Sequence, residues 1–142
     1  MKEPSERRKR ILELHARAIR FSTDINQSYP TGAITPPSQV VWGQLVRAAD
    51  GTSNNLIEAD AASSDADFLN KMRIALREAK ESKACLAKIR LGPLANARRV
   101  EALRLEDEAD ELCAVYATIV MNTEKRMAQE APSRRHRRRT GH

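Results

Sequence analysis

Apolar residues recur along this chain at alternating steps of three and four, in four separate stretches. Ile11, Leu14, Ala18, Phe21 and Ile25 keep that spacing, which places them on one face of a helix and predicts a helix over 5–28. Ser5, just after Pro4, is a suitable N-cap. The run Tyr29-Pro-Thr-Gly-Ala-Ile-Thr-Pro-Pro37, with three prolines and a glycine, breaks the pattern. Trp42, Leu45, Ala49, Thr52, Leu56 and Ala59 restart it, predicting a second helix over 38–62 capped by Ser38. Phe68, Met72, Ala75, Ala79, Ser82, Leu86 and Ile89 define a third over 64–91. Ser64 and Asp67 form a capping-box-like pair at its start, and Gly92-Pro93 stops it. Leu105, Ala109, Leu112, Tyr116 and Ile119 mark a fourth helix over 94–127, with Pro132 expected to end any continuation.

The second helix has a weak middle, because Asp50-Gly-Thr-Ser-Asn-Asn55 sets six poor helix formers in a row. Either the helix breaks there, or it continues under tertiary packing with Gly51 admitting a close neighbour. The apolar stripe keeps its phase across the segment, which favours continuity. Four helices with short connections predict an all-α, antiparallel up-down-up-down four-helix bundle over 1–127. Basic, flexible termini are expected, with 128–142 a disordered arginine-rich tail.

Composition agrees with a helical reading. Aromatic residues make up 4% of 142 residues, too few for an all-β sandwich or barrel. No segment approaches the length of a membrane span, and the polar, charged 1–10 segment lacks a signal peptide's apolar run. The expected compartment is the cytoplasm, with Cys85 and Cys113 reduced, buried small hydrophobes.

The formal net charge of +6 is unevenly placed. Residues 1–10 carry +3 and residues 128–142 carry +4, leaving −1 on 11–127. Arg7, Arg8, Lys9 and Arg10 at one end, with Arg134, Arg135, Arg137, Arg138 and Arg139 at the other, are therefore the candidate nucleic-acid-binding residues. Arginine forks suit phosphate oxygens, and each neutralised phosphate releases counterions. No aromatic interleaves the arginine run, so base stacking by the tail is not expected. The absence of an apolar anchor beside it argues against a membrane surface.

Candidate catalytic chemistry is thin. His15, His136 and His142 are the only histidines, and none follows a glutamate by three residues as a di-metal carboxylate bundle requires. Glu78/Glu81 and Glu108/Glu111 have ligand-like spacing, but such pairs are ordinary on a solvated helix face. No nucleophile elbow or phosphate-cradling loop occurs. Arg10 and His15 match the spacing of helical-bundle ribonucleases, a match that an arginine-rich helix end makes cheaply. No enzyme activity, cofactor, metal or small-molecule substrate is expected. Arg47, Asn55 and Glu58 read as a structural polar cluster, with Asn55 bonding a facing helix and fixing register. Asn54 lies one turn from Glu58 on the same face.

Three ordered segments resemble a known family. They are Gln44-Leu-Val-Arg-Ala-Ala49, Asn55-Leu-Ile-Glu-Ala59 and Asp67-Phe-Leu-Asn-Lys-Met-Arg-Ile-Ala-Leu-Arg-Glu-Ala-Lys-Glu-Ser82. They are similar to Q-L-x-R-[AS]-x, N-[IL]-x-E-[AG] and D-F-x-x-K-x-x-I-A-L-x-E-A-x-E-[ST]. This is the signature of the bacterial four-helix bundles first known from proteins encoded in intervening sequences of large-subunit ribosomal RNA. The accessory variability proteins of diversity-generating retroelements share the fold. The resemblance covers about residues 10–127 and is strongest over 44–89. It implies a non-enzymatic bundle that assembles into ring-like homopentamers. For the retroelement branch it implies binding of nucleic acid and of a partner reverse transcriptase through a basic surface; for this chain the expected nucleic acid is RNA before DNA. This chain departs at Thr52, where the family has an apolar residue, and in its nearly neutral body.

Overall fold

The computed structural model describes residues 2–32, 34–93 and 96–139, with side chains described throughout except at 96–98 and 132–139. Four helices make up the fold: α1 (Glu6–Ser28), α2 (Pro36–Asp60), α3 (Asp65–Leu91) and α4 (Asn96–Arg139). Each chain neighbour runs antiparallel to the last, as ion pairs along the seams record. Arg8 reaches Asp60 between α1 and α2, Lys71 reaches Glu58 between α2 and α3, and Arg90 reaches Glu106 between α3 and α4. Arg104 closes the circuit onto Asp24 of α1. The molecule is thus an up-down-up-down four-helix bundle.

The helix ends follow local chemistry. Ser5 and Ser64 each accept a hydrogen bond from the backbone N–H three residues on, Arg8 and Asp67, at 3.1 Å. α2 starts earlier than expected. Thr35, not Ser38, holds the N-cap position, with Pro36 and Pro37 in the first turn. Proline there gives up only an N–H that the helix leaves unbonded anyway. Gly32 in the α1–α2 connection has φ of +101°, a conformation costly for any residue with a Cβ. The connection is pinned by the Tyr29 ring, edge-on to Trp42 with centroids 5.8 Å apart.

α4 departs most from the sequence expectation. The helix passes Pro132 and runs to Arg139 instead of ending near 127. A proline removes one backbone hydrogen bond, but the arginines that follow are good helix formers. At 44 residues α4 is about 66 Å long, whereas α1 to α3 have 23 to 27 residues. The last three residues of the expected tail, 140–142, lie outside the described residues.

The core is built largely from small residues. Ala18, Ala49, Ala75, Ala79 and Ala109 are fully buried, interleaved with Phe21, Leu45, Met72, Leu105 and Leu112. α2 is continuous through 50–55, where Thr52, Ser53 and Asn55 bond carbonyls of their own helix and Asp50 accepts from the Ser22 hydroxyl of α1. Thr52 donates its hydroxyl to the Ala48 carbonyl at 2.9 Å, and Ser53 to Asp50 O at 3.1 Å. The Thr52 carbonyl also accepts from the buried Tyr116 hydroxyl of α4 at 3.0 Å. The bond to Ala48 is how the Thr52 hydroxyl sits at 0% exposure in an apolar stripe, and the bond to Thr52 O does the same for Tyr116.

Packing is uneven around the bundle. α3 makes extensive interfaces with α2 and α4, α1 a smaller one with α2, and the α1–α4 seam is the slightest. Charge partly makes up for it, since Arg17 of α1 grips Glu108 at 2.5 Å and also pairs with Glu111. Nearly every seam position that the spacing assigns to the core is buried. The exceptions are Ile11, Leu14, Phe68 and Ile119, all half-buried.

Candidate nucleic-acid interface

Antiparallel topology puts the start of α1 and the end of α4 at the same end of the bundle. Arg8 lies against Asp60 at the end of α2, and Arg126 of α4 lies 2.8 Å from Asp65 at the start of α3. Ala131 is still alongside Ser64 and Ala66, so residues 132–139 carry the α4 backbone about 12 Å past the first turn of α3. The two basic segments, separate in sequence, therefore converge on one pole.

The four N-terminal cations are not equivalent there. Arg8 holds both Asp60 carboxylate oxygens at 2.8 Å, and Lys9 pairs with Glu6 at 3.4 Å and Glu3 at 3.8 Å. Arg7 and Arg10 are exposed and make no ion pair among the described residues. The side chains of Arg134, Arg135, Arg137, Arg138 and Arg139 lie outside the described ones; their backbone is the last turns of α4.

Between these ends opens a cleft of about 660 Å³. All four helices contribute, through Ile11 and Leu14 of α1, Leu56 of α2, Phe68 of α3 and Ile119 of α4, with Ala62 on the α2–α3 connection. Arg7, Asp60, Asp65 and Arg126 form its polar rim. His15 also lines it, and the buried Nε2 of that ring has no hydrogen-bond partner. A second groove of about 460 Å³ follows the α1–α4 seam past Arg10, Val115 and Ile119. The apolar spacing assigns Ile11, Leu14, Phe68 and Ile119 to the core, where the structure instead opens a cleft. The signal lay in their position, since Ile11, Phe68 and Ile119 are each the outermost seam residue of their helix at this pole and Leu14 is the next one in.

Other candidates fare differently. Arg10 lines the α1–α4 groove and His15 the adjoining cleft at the pole; the two share no hydrogen bond. Arg47, Asn55 and Glu58 do not form a cluster. Arg47 pairs with Glu81, Glu58 with Lys71, and Asn55 donates to Gly51 O of its own helix at 2.9 Å. The register-fixing role expected of Asn55 is corrected accordingly, because its side chain bends back along α2 instead of crossing to a neighbour. Asn54 is exposed.

Among the described residues, no group of three or more His, Cys, Asp or Glu side chains is arranged to hold a metal ion. Glu108 and Glu111 are engaged by Arg17. Burial, and then the Glu81 carboxylate, raise the Glu78 carboxyl above its ordinary value. Cys85 is buried and Cys113 half-buried; both are free thiols, and burial pushes each above the usual thiol range, away from the reactive thiolate. No helix among the described residues is long and apolar enough to cross a membrane.

Neither a protein-family model nor a curated protein matches the chain. Among solved structures, it is similar to a protein of unknown function from the S23 ribosomal protein family of Bacteroides thetaiotaomicron. The two share 24% identity with a TM-score of 0.65, over 78% of this chain and 97% of that one. At that identity the likeness shows the fold, a helical bundle of the same build.

Proposed function

We propose that this protein is a non-enzymatic, self-assembling scaffold that holds nucleic acid, RNA before DNA, on its basic pole. The observation that carries the reading is the convergence of Arg7 and Arg10 with the arginine-rich end of α4 at one end of the bundle. A body charge near zero elsewhere concentrates the positive field there. Exposed Leu12 and Ile19 of α1, at 42% and 47%, with Met121 of α4 at 55%, offer apolar surface for contacts between copies. The resemblance to the ribosomal RNA intervening-sequence and retroelement accessory proteins supports a ring of five. In such a ring, each protomer's weak phosphate contacts multiply through effective concentration.

Removing residues 128–142 tests the reading by titration of single-stranded RNA at several salt concentrations. The full chain binds with a steep salt dependence, and the truncated one binds more weakly, its slope shallower by about 3.5 if each of the five arginines meets a phosphate. Equal affinity and equal slope in the two proteins overturn it. Light scattering of the full chain at micromolar concentration tests assembly, and a monomer removes the ring.

A second reading rests on the α1–α4 groove, whose half-buried Val115 and Ile119 suit a protein partner such as a reverse transcriptase. Capture of that partner that survives both nuclease and truncation favours it.

A further inference from the structure

α1 is one helix with two unlike halves. From Glu6 to Arg17 no residue is fully buried, and the seam side chains of that stretch, Ile11 and Leu14, stay half-buried. From Ala18 onward the helix belongs to the core. Ala18, Phe21 and Ile25 are 0–1% exposed, the Ser22 hydroxyl donates to Asp50 of α2 at 2.5 Å, and Asp24 is held by Arg104 of α4. Two cavities, of about 660 Å³ and 460 Å³, adjoin the first half, and Ile11 and Leu14 line both. The apolar side of this half therefore faces space that close packing would have filled.

What fastens residues 6–17 to the bundle is mainly charge. Arg8 holds both Asp60 oxygens at 2.8 Å, and Arg17 holds Glu108 at 2.5 Å and pairs with Glu111. Lys9 adds nothing to the docking, since its partners Glu3 and Glu6 lie at the same end of the chain. Ion pairs as exposed as these are weak and screened by salt. An isolated helix of about 12 residues is marginal in water, so the segment depends on them. His15 works against the docked state, because its Nε2 is buried without a hydrogen-bond partner. Water would reach that nitrogen once the segment lifted.

We infer that residues 6–17 form a strap that opens as one unit while the rest of the bundle stays folded, latched by the ion pairs to Asp60, Glu108 and Glu111. The hinge is Arg17–Ala18, where α1 enters the core. Phe21 and Ile25 keep the remaining half of α1 in place. Opening joins the two cavities and uncovers the apolar floor of the cleft, Leu56, Ala59 and Met72. Because the latches are screened, ionic strength sets how often the floor is uncovered. Opening needs no nucleic acid.

Hydrogen exchange of the full chain, resolved to single amides, tests the strap. Protection should be uniform over the amides of 11–20, whose helical acceptors lie in the strap, and step up by about a hundredfold at 22–28. Raising NaCl from about 0.05 M to about 1 M should speed exchange of 11–20 about fivefold and leave 22–28 unchanged. Asp60→Asn, Glu108→Gln and Glu111→Gln together should give the same speeding at low salt and remove the response to salt. His15→Leu, which takes away the unbonded nitrogen, should slow 11–20 about tenfold. Circular dichroism checks that the variants keep their helix content, and the wild-type measurements decide the matter without them. Protection that grades smoothly from Ile11 to Ser28 is ordinary end fraying and overturns the strap, as does equal protection along α1. A step that salt leaves unmoved overturns the latch.

Discussion

Gly51 sits in the middle of α2, where an alanine would be favoured by about 1 kcal/mol on helix propensity alone. The structure supplies the reason for glycine. A Cβ there would lie 2.8 Å from Cγ of Glu78 on α3, and 3.1 Å from its Cδ. Cγ is one bond from the fixed end of its side chain, so relief requires rotating the whole glutamate at the α2–α3 contact. Overpacking of that kind costs about 1–3 kcal/mol. Gly51→Ala should accordingly lower stability by about 1 kcal/mol in urea denaturation. In a Glu78→Ala background the same substitution should raise it by about 0.5–1 kcal/mol, as propensity acts without the clash. A gain in both backgrounds would show that this contact does not set the helix spacing. The sequence was enough to expect a close neighbour at Gly51, but not to name Glu78. That identity depends on the register of α2 against α3, which heptad spacing leaves free to slide.

Register is also where expectation and structure part at the scale of the element. Asn55 sits near an alanine-rich seam in the pattern of a buried polar pin. Its amide instead donates to Gly51 O in α2. The same habit recurs in Thr52, Ser82 and Thr123, whose hydroxyls bond carbonyls four residues back at 2.7–2.9 Å. Side chains satisfied within their own helix do not specify a partner. Asn55→Ala should therefore change stability by no more than about 0.5 kcal/mol, because the lost local bond is offset by alanine's propensity. A loss above about 1.5 kcal/mol in thermal or urea unfolding would reinstate the register role. The apolar spacing located the four helices because it directly records which side of each faces the core. Boundaries were less legible, since a cap competes with its neighbours. Thr35 displaced Ser38 as the start of α2 once Pro36 could occupy the first turn. The end of α4 moved for a related reason, the loss of one hydrogen bond at Pro132 being too little to stop the helix.

For the whole molecule, the parity of the bundle matters more than any single element. An even number of antiparallel helices returns the chain to the end where it began, so the two basic segments had to meet once the fold was right. Which cations then remain available was not legible, because ion pairing joins residues far apart in sequence. Arg8 and Arg10 look alike in the row of letters. In the folded chain Arg8 is locked on Asp60 of α2, and Arg10 is exposed on the rim of the α1–α4 groove. If the pole binds phosphate, the two classes should separate in one experiment. Replacing Arg7 and Arg10 together by alanine should leave the melting temperature within about 1 °C, since surface changes of this kind cost little. It should also reduce the slope of log affinity against log salt by about 1.4, the loss of two phosphate contacts on a single strand. Arg8→Ala should act the other way, lowering stability by about 0.5 kcal/mol and hardly altering that slope, because its charge is already committed and partly exposed. Matching salt slopes for the Arg7/Arg10 variant and the wild type would show that the N-terminal half of the pole takes no part. Affinity would then reside in the α4 extension alone.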